Sequence, residues 1–413
     1  MRLSCPLSLL NLAAAGSRAK RSEPAPLLIP RSVGAEDLVA NQYVVKFKEG
    51  STLAAVEDAI SLLSLPNVAG ELFREVFTGF AGHFDTATLH LIRGHPEVQY
   101  VEQNAKMVAF APATQSPSTW GLARISHETR GASNYLYDSS SGSGTCSYIV
   151  DSGIDASHSV GPIPNIKSVV SKDFGGRAEQ IKSFIGRNDD SCGHGTHVAG
   201  TVGSNTYGVA KKTTLLGIKV IDYNNHTREC EGPTVGILHG LEYVAQDVAR
   251  RNCPKGVVVN MSLGGSFSQA SNDAVAGLVS KGFFVAVAAG NGDEKKGPMD
   301  AGDVSPASES SACTVGASDG NDCIASFSNH GSMIDIHAPG VDVVSLKNGG
   351  GTALGSGTSM ATPHVAGLAA YFMGQGRAAA SMCKFLQNMS VKNAISGMHY
   401  DTKNLLAQND QAR

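Results

Sequence analysis

Three apolar runs constrain this chain more than anything else in it: "SYIVDSGID" (147–155), "VVVNMSLGG" (257–265) and "GFFVAVAAGN" (282–291). A strand with one wet face alternates apolar and polar residues, whereas these runs are nearly continuous and stop at a glycine or a polar residue. Such strands are buried on both faces. Between them lie stretches with helical spacing, such as "TVGILHGLEYVAQDVAR" (234–250). Strands of this kind alternating with helices imply an α/β fold, a parallel sheet covered by helices on both faces. Chemistry in such folds collects beyond the carboxyl ends of the strands. Asp151, Asn291 and the Leu263-Gly264-Gly265 segment fall there.

Upstream the texture differs. Residues 41–104 read as a small α+β unit: "QYVVKFK" alternates as a strand, "TLAAVEDAISLLS" has helical spacing, "GFAGHFD" is strand-like, "ATLHLIRGHP" is helical and "VQYVEQN" is a last strand. The segment that follows, "AKMVAFAPATQSPSTW", is small, polar and proline-bearing, as an exposed and cleavable linker is. At the start, one Arg precedes an apolar stretch from Leu3 to Ala15, which reads as a secretory signal over residues 1–15 and is too short for a membrane anchor. The expected organisation is therefore 1–15 signal, 16–112 an N-terminal segment carrying the 41–104 unit, and 113–413 the large domain. A formal net charge of -3 gives no sign of a nucleic-acid or anionic-membrane partner, and no later segment is built to cross a bilayer.

Candidate chemistry starts with Ser359 in "GSGTSMATPHVAGLAAYFMG" (355–374), a run apolar nearly all round and hence a core helix. Pro363 is expected in its first turn, and Thr358 or Ser359 alone reads as a helix cap. A serine becomes a nucleophile when a base takes its proton and a carboxylate orients that base. "CGHGTHVAGTVG" (192–203) offers His194, and Asp151 ends a buried strand, a costly place for an unpartnered charge. His194 and His197 also fit a metal-binding pair, but no third ligand accompanies them. "GASDG" (316–320) fits the G-x-S-x-G elbow of α/β-hydrolases, although turn-like sequence follows it where that elbow needs a helix. The chain order Asp151, His194, Ser359 is that of subtilisin.

At this point the motifs converge. "VDSGID", "GHGTHVAG", "NMSLGG", "VAAGN" and "GTSMATPHVAG" resemble the signature segments of subtilisin-like serine proteases. From "TWGLARIS" through "SPASESSACTVGASD" to "NLLAQND" the resemblance is to the proteinase K-like secreted fungal subfamily and covers about residues 113–410. Residues 41–104 resemble that family's inhibitory propeptide, which implies a ferredoxin-like α+β domain. The implied protein is a secreted, self-processing zymogen of a serine endopeptidase with broad specificity, acting on extended polypeptides as a monomer. Ser359 is then the nucleophile, His194 the base, Asp151 its orienting partner, and Asn291 an oxyanion donor beside the Ser359 N–H. The resemblance places substrate between Ser262, Leu263, Gly264 and Gly265 on one side and Ala288, Ala289 and Gly290 on the other. These walls carry no charge, which implies aromatic or aliphatic side chains before the cut.

The resemblance also implies one structural calcium ion at Asp335 with the carbonyls of Ser310 and Ala312, oxygen ligands that suit a hard cation. A second family site lacks its acidic ligand, since Ala394 stands there. It further implies disulfides Cys146–Cys253 and Cys313–Cys383. The chain has eight cysteines, of which Cys5 leaves with the signal. Among Cys192, Cys230 and Cys323 we take Cys192 with Cys230 and leave Cys323 free, the alternative being a free Cys192 or Cys230. Three stretches are longer than the family's: 159–172, 223–229 and 292–303. The first of these also reads as translated intron. Asn225 and Asn388 lie in glycosylation sequons on expected surface, while Asn260 lies in a buried strand.

Overall fold

The computed structural model describes residues 23–30, 38–62, 72–106, 113–160, 171–292 and 297–411. The signal, residues 107–112 of the linker, and residues 161–170 and 293–296 of the longer stretches lie outside the described residues. The chain divides into two compact units, Met1–Ala109 and Phe110–Arg413.

In the second unit a nine-stranded sheet runs in the order Ala178–Ser183, Thr214–Lys219, Cys146–Asp151, Val257–Met261, Phe284–Ala288, Cys313–Ser318, Ile336–Pro339, Leu405–Leu406, Val391–Lys392. Every pairing is parallel except the last. From Cys146–Asp151 the chain first goes out to one edge, returns through Thr214–Lys219, and then crosses to Val257–Met261 on the other side. The strand order thus reverses at Cys146–Asp151, which opens a crevice beyond Asp151.

The continuous apolar runs are explained by two cores. Ile149, Val258, Ala286 and Val315 point to one face, against Val198 and Val202 of helix His194–Gly203 and Val365 and Leu368 of helix Thr358–Gly374. Tyr148, Val150, Val259, Val285 and Val287 point to the other, against Leu241, Val244, Val275 and Leu278 of helices Thr234–Asp247 and Gln269–Ser280. Burying each valine, leucine or isoleucine among them is worth about 1.5–3 kcal/mol, so a polar residue on either face of these strands is costly. Ser318 closes a buried strand, and no helix begins between it and Thr358, so "GASDG" is no hydrolase elbow.

The first unit is a βαββαβ fold. Leu38–Phe47 lies antiparallel between Val98–Ala105 and Gly79–His83, with Leu72–Phe73 outside the latter. Helices Leu53–Leu62 and Thr86–Arg93 contribute Val56, Ala59, Leu89 and Ile92 to a core with Val45, Phe47, Phe80 and Val101. Asp85 caps the second helix through the Thr88 N–H at 2.8 Å. This is the expected ferredoxin-like arrangement. The strand Leu27–Leu28, which pairs with Val98–Ala105, was not legible beforehand.

Candidate active site

Asp151 ends its strand fully buried, and His194 opens its helix. The His194 Nδ1 lies 2.7 Å from the Asp151 Oδ1, which also accepts from the Ser152 N–H at 2.7 Å. Burial pulls the imidazole pKa down, but the Asp151 charge and hydrogen bond, helped by Asp190, outweigh it, and the net shift is upward. The helix start is built to hold this contact. Gly193 takes φ +82, open to glycine at little cost, and a Cβ on Gly195 would meet the Gly153 carbonyl oxygen at 2.1 Å.

Sequence reasoning passed over Asp190, although an Asp a few residues before a helix is a readable cap signal. Its carboxylate accepts from the N–H groups of Cys192 (3.2 Å), Gly193 (2.8 Å) and Thr196 (2.9 Å), and from the Ser152 hydroxyl at 2.7 Å. The Ser152 Oγ accepts in turn from the Gly195 N–H at 2.8 Å. Asp190 thereby fastens the His194 helix to the strand end that carries Asp151. Below them the fully buried Lys219, in register with Asp151, donates to the carbonyls of Ser152 (3.1 Å) and Asp189 (2.9 Å) and pairs with Asp222 at 2.9 Å. His197 is no metal ligand here, since its Nε2 bonds the carbonyls of Val343 (3.0 Å) and Ala353 (3.2 Å).

Ser359 is the second residue of helix Thr358–Gly374. Pro363 is the sixth, not in the first turn as expected, and its position has a consequence. Lacking an N–H, Pro363 leaves the Ser359 carbonyl without its helical donor. The Ser262 hydroxyl takes that place at 2.8 Å, and the Ser359 hydroxyl donates to the Ser262 carbonyl at 2.9 Å. Neither Thr358 nor Ser359 is the cap. The cap position is Gly357, and the side chain that meets the helix start is Asn291, whose Oδ1 accepts from the Thr358 N–H (2.8 Å) and hydroxyl (2.9 Å). With its oxygen committed to Thr358, the Asn291 amide has its Nδ2 hydrogens to offer elsewhere.

His194, Ser359 and Asn291 line one cavity of about 700 Å³, whose walls include Ser262, Leu263, Gly264, Gly265, Ala288 and Gly290. Ala289, expected in the wall, is instead fully buried against Ala301, Val304 and Ala307, because it packs under the loop rather than facing the cleft. The expected walls carry no charge, but the cavity reaches past them to acidic residues. Glu229 and Glu231, from the hairpin Asp222–Asn224/Glu229–Glu231, and Asp303 reach the cavity. All three belong to or adjoin stretches longer than the family's, so the family pattern carried no sign of them.

A buried Asp bonded to a half-buried His, with a helix-borne serine and an oriented amide around one cleft, is an arrangement that suits acyl transfer. The profile of the Subtilase family matches residues 142–403. The chain belongs to the subtilase family. A second profile, Peptidase inhibitor I9, matches residues 42–109, the ferredoxin-like unit. Over 99% of its length the chain is 45% identical to Proteinase R of Parengyodontium album and 46% identical to the Cuticle-degrading protease of Metarhizium anisopliae, covering 99% and 100% of those proteins. Among solved structures, a cold adapted subtilisin-like serine proteinase matches with a TM-score of 0.61 and 35% identity, over 71% of this chain and 99% of that one. The protein is a subtilisin-like serine endopeptidase made as a zymogen, with an inhibitor-type propeptide.

The structure of this subtilase brings together three cysteine pairs: Cys146–Cys253, Cys313–Cys383 and Cys192–Cys230, with Cα separations of 5.5, 5.6 and 6.2 Å. Cys323 is a free thiol. The Cys192–Cys230 bridge links the loop before His194 to the hairpin at the cleft border. Asn225 and Asn388 are exposed, and Asn260 is buried. Asp335 is half-buried. Its Oδ1 accepts from Gln387 (2.8 Å) and Lys403 (2.9 Å), and its Oδ2 from the Thr314 N–H (3.2 Å).

Proposed function

We propose that the unit starting near Ala113 cleaves extended polypeptides through Ser359, His194 and Asp151. Ser359 attacks the peptide carbonyl, and His194 accepts its proton at Nε2 and later returns it to the leaving amine. Asp151 holds the Nδ1 proton and stabilises the imidazolium. The observation that carries this reading is the 2.7 Å Asp151–His194 contact on the cleft that also holds Ser359 and Asn291. The Ser359 hydroxyl rests on the Ser262 carbonyl, and a side-chain rotation turns it to His194. Such bonds commonly tighten only with substrate bound.

Asn291 and the Ser359 N–H are the proposed donors to the oxyanion. Asn291→Ala is expected to lower kcat by about 10²–10³-fold with little change in KM, a magnitude known from subtilisin itself. Steady-state kinetics on a peptide amide checks this, and an unchanged kcat would remove Asn291 from the reaction. Substrate backbone is held by strand-like edges at Leu263–Gly265 and at the Glu229–Glu231 hairpin, which gives broad specificity through main-chain contacts. Gly264, Gly265, Ala288 and Gly290 leave room for an aromatic or aliphatic side chain before the cut.

The maturation cut is proposed at residues 112–113. Ala113–Gln115 already pairs with Tyr135–Tyr137 inside the protease unit, which supports a mature chain that begins there. Secretion is proposed, supported by the N-terminal apolar stretch and by three disulfides, which persist in oxidising compartments. Among the described residues no helix is long and apolar enough to cross a membrane. A monomer is proposed, with Asn225 and Asn388 glycosylated.

Calcium is proposed at Asp335 with the carbonyls of Ser310 and Ala312, as a stabilising ion. The donor set suits a hard cation in kind, but Lys403 pairs with the Asp335 Oδ1 at 2.9 Å. Lys403 is 44% exposed and free to swing into water. Ion and ammonium therefore compete. Lys403→Ala is expected to enlarge the rise in melting temperature that calcium produces, and an equal rise in variant and wild type would remove the ion from this site.

A further inference from the structure

His330, His399 and Asp401, none of them assigned to catalysis or calcium, meet in the protease unit. Their candidate ligand atoms all lie within 4.8 Å of one another. The two imidazoles stack with centroids 4.1 Å apart, and both Nδ1 atoms face the Asp401 carboxylate. The His399 Nδ1 lies 2.5 Å from the Asp401 Oδ1, which also accepts from the Thr402 hydroxyl at 2.9 Å. The His330 Nδ1 is buried, has no hydrogen-bond partner, and stands 3.8 Å from the Asp401 Oδ2.

An ordinary His399–Asp401 ion pair explains the first contact and leaves the second unexplained. A nitrogen 3.8 Å from a carboxylate oxygen is too far to bond it. It is close to the spacing of about 3.3 Å between two ligands of one tetrahedral zinc ion with bonds of about 2.0 Å. We infer that His330, His399 and Asp401 form a binding site for a divalent transition metal, zinc by its nitrogen and carboxylate ligands, with water in the fourth position. Binding replaces the proton between His399 and Asp401, and that proton leaves to solvent. The three side chains are 27%, 40% and 29% exposed, and a cavity of about 390 Å³ beside the two histidines gives the ion a way in.

The site has a mechanical consequence. The His330 N–H donates to the Met299 carbonyl at 3.0 Å, and the His330 carbonyl accepts from the Ala301 N–H at 2.8 Å. Neighbouring Asn329 donates to the Ala289 carbonyl (2.8 Å) and accepts from the Met299 N–H (2.9 Å). Met299 lines the catalytic cavity. An ion joining His330 to His399 and Asp401 therefore pins the lengthened 297–303 cleft border to the C-terminal loop.

The test uses the full chain carrying Ser359→Ala, to prevent self-digestion, with calcium in excess so that only the nitrogen-bearing site responds. Zinc at about 0.1 mM is expected to raise the melting temperature by about 3 °C. Cobalt is expected to give visible d–d absorption of a tetrahedral centre. Both responses are expected to vanish in His399→Gln and in Asp401→Asn, two shape-conserving changes at exposed and half-buried positions, and to persist in His197→Gln. No response in the parent chain, or responses equal in the parent and the two ligand variants, would overturn the site.

Discussion

Ser359→Ala is expected to lower kcat by about 10⁶-fold, the loss known from subtilisin itself. The size follows from how the residue acts. Without the hydroxyl no acyl-enzyme forms, and His194 and Asp151 have no proton to move, so the loss matches that of disabling the whole unit. The fold should survive. The Ser359 carbonyl keeps its bond from Ser262, and among the described residues the side-chain hydrogen bond removed is the hydroxyl's 2.9 Å bond to the Ser262 carbonyl. Hydrolysis of a peptide amide, measured beside the circular dichroism of the same preparation, checks both halves. Near-wild-type turnover in a folded variant would remove Ser359 as nucleophile. The variant should also accumulate with the N-terminal unit uncleaved, if maturation is self-catalysed.

Asp151→Asn is expected to cost about 10⁴-fold in kcat and to move the acid limb of the pH profile downward. An asparagine keeps the acceptor for the Ser152 N–H but can turn its amide hydrogens on the His194 Nδ1. The imidazole is then held in the tautomer that carries its proton on Nε2, where the base is needed. In the wild type the His194 pKa is raised, because the Asp151 charge overcomes burial. His194 must be neutral to act, so activity should rise with pH through a value above the ordinary histidine pKa of about 6.5, giving a neutral-to-alkaline optimum. Removing the charge leaves burial dominant and lowers that value. The same shift links to stability with a definite sign. The charged pair stabilises the fold fully below about pH 6.5, and that contribution is lost as pH rises through the raised folded value. A profile of kcat/KM against pH for both proteins decides it, and an unmoved acid limb would detach Asp151 from His194.

The layered sheet and the small α+β unit were legible in the sequence because each rests on short-range information, while the ferredoxin-like topology and the joint role of Asp151, His194 and Ser359 came from the resemblance to the family's motifs. A strand buried on both faces needs an unbroken apolar run, and the strand ends then carry the polar residues. The glycines around His194 were legible as a motif, though the reason, a Cβ position 2.1 Å from the Gly153 oxygen, is a tertiary fact. What stayed hidden depends on partners distant in the chain. Asn291 was legible as an oxyanion donor through the family motif, but its second role, accepting from Thr358 67 positions on at the start of the Ser359 helix, depends on the fold. Pro363 reads as a first-turn residue until the helix start fixes it one turn later and Ser262 takes the carbonyl it leaves free. Asp190, Lys219 and Ser152 look like loop or strand polar residues, and only their burial turns them into the frame that fixes the His194 helix to Asp151. The acidic cleft rim, the pairing of Asp335 with Lys403 and the His330–His399–Asp401 cluster likewise join side chains from separate loops. Local pattern determines which residues are buried and which end a strand. Which polar groups then meet is decided by packing, since a buried donor or acceptor must find its partner wherever the fold brings one.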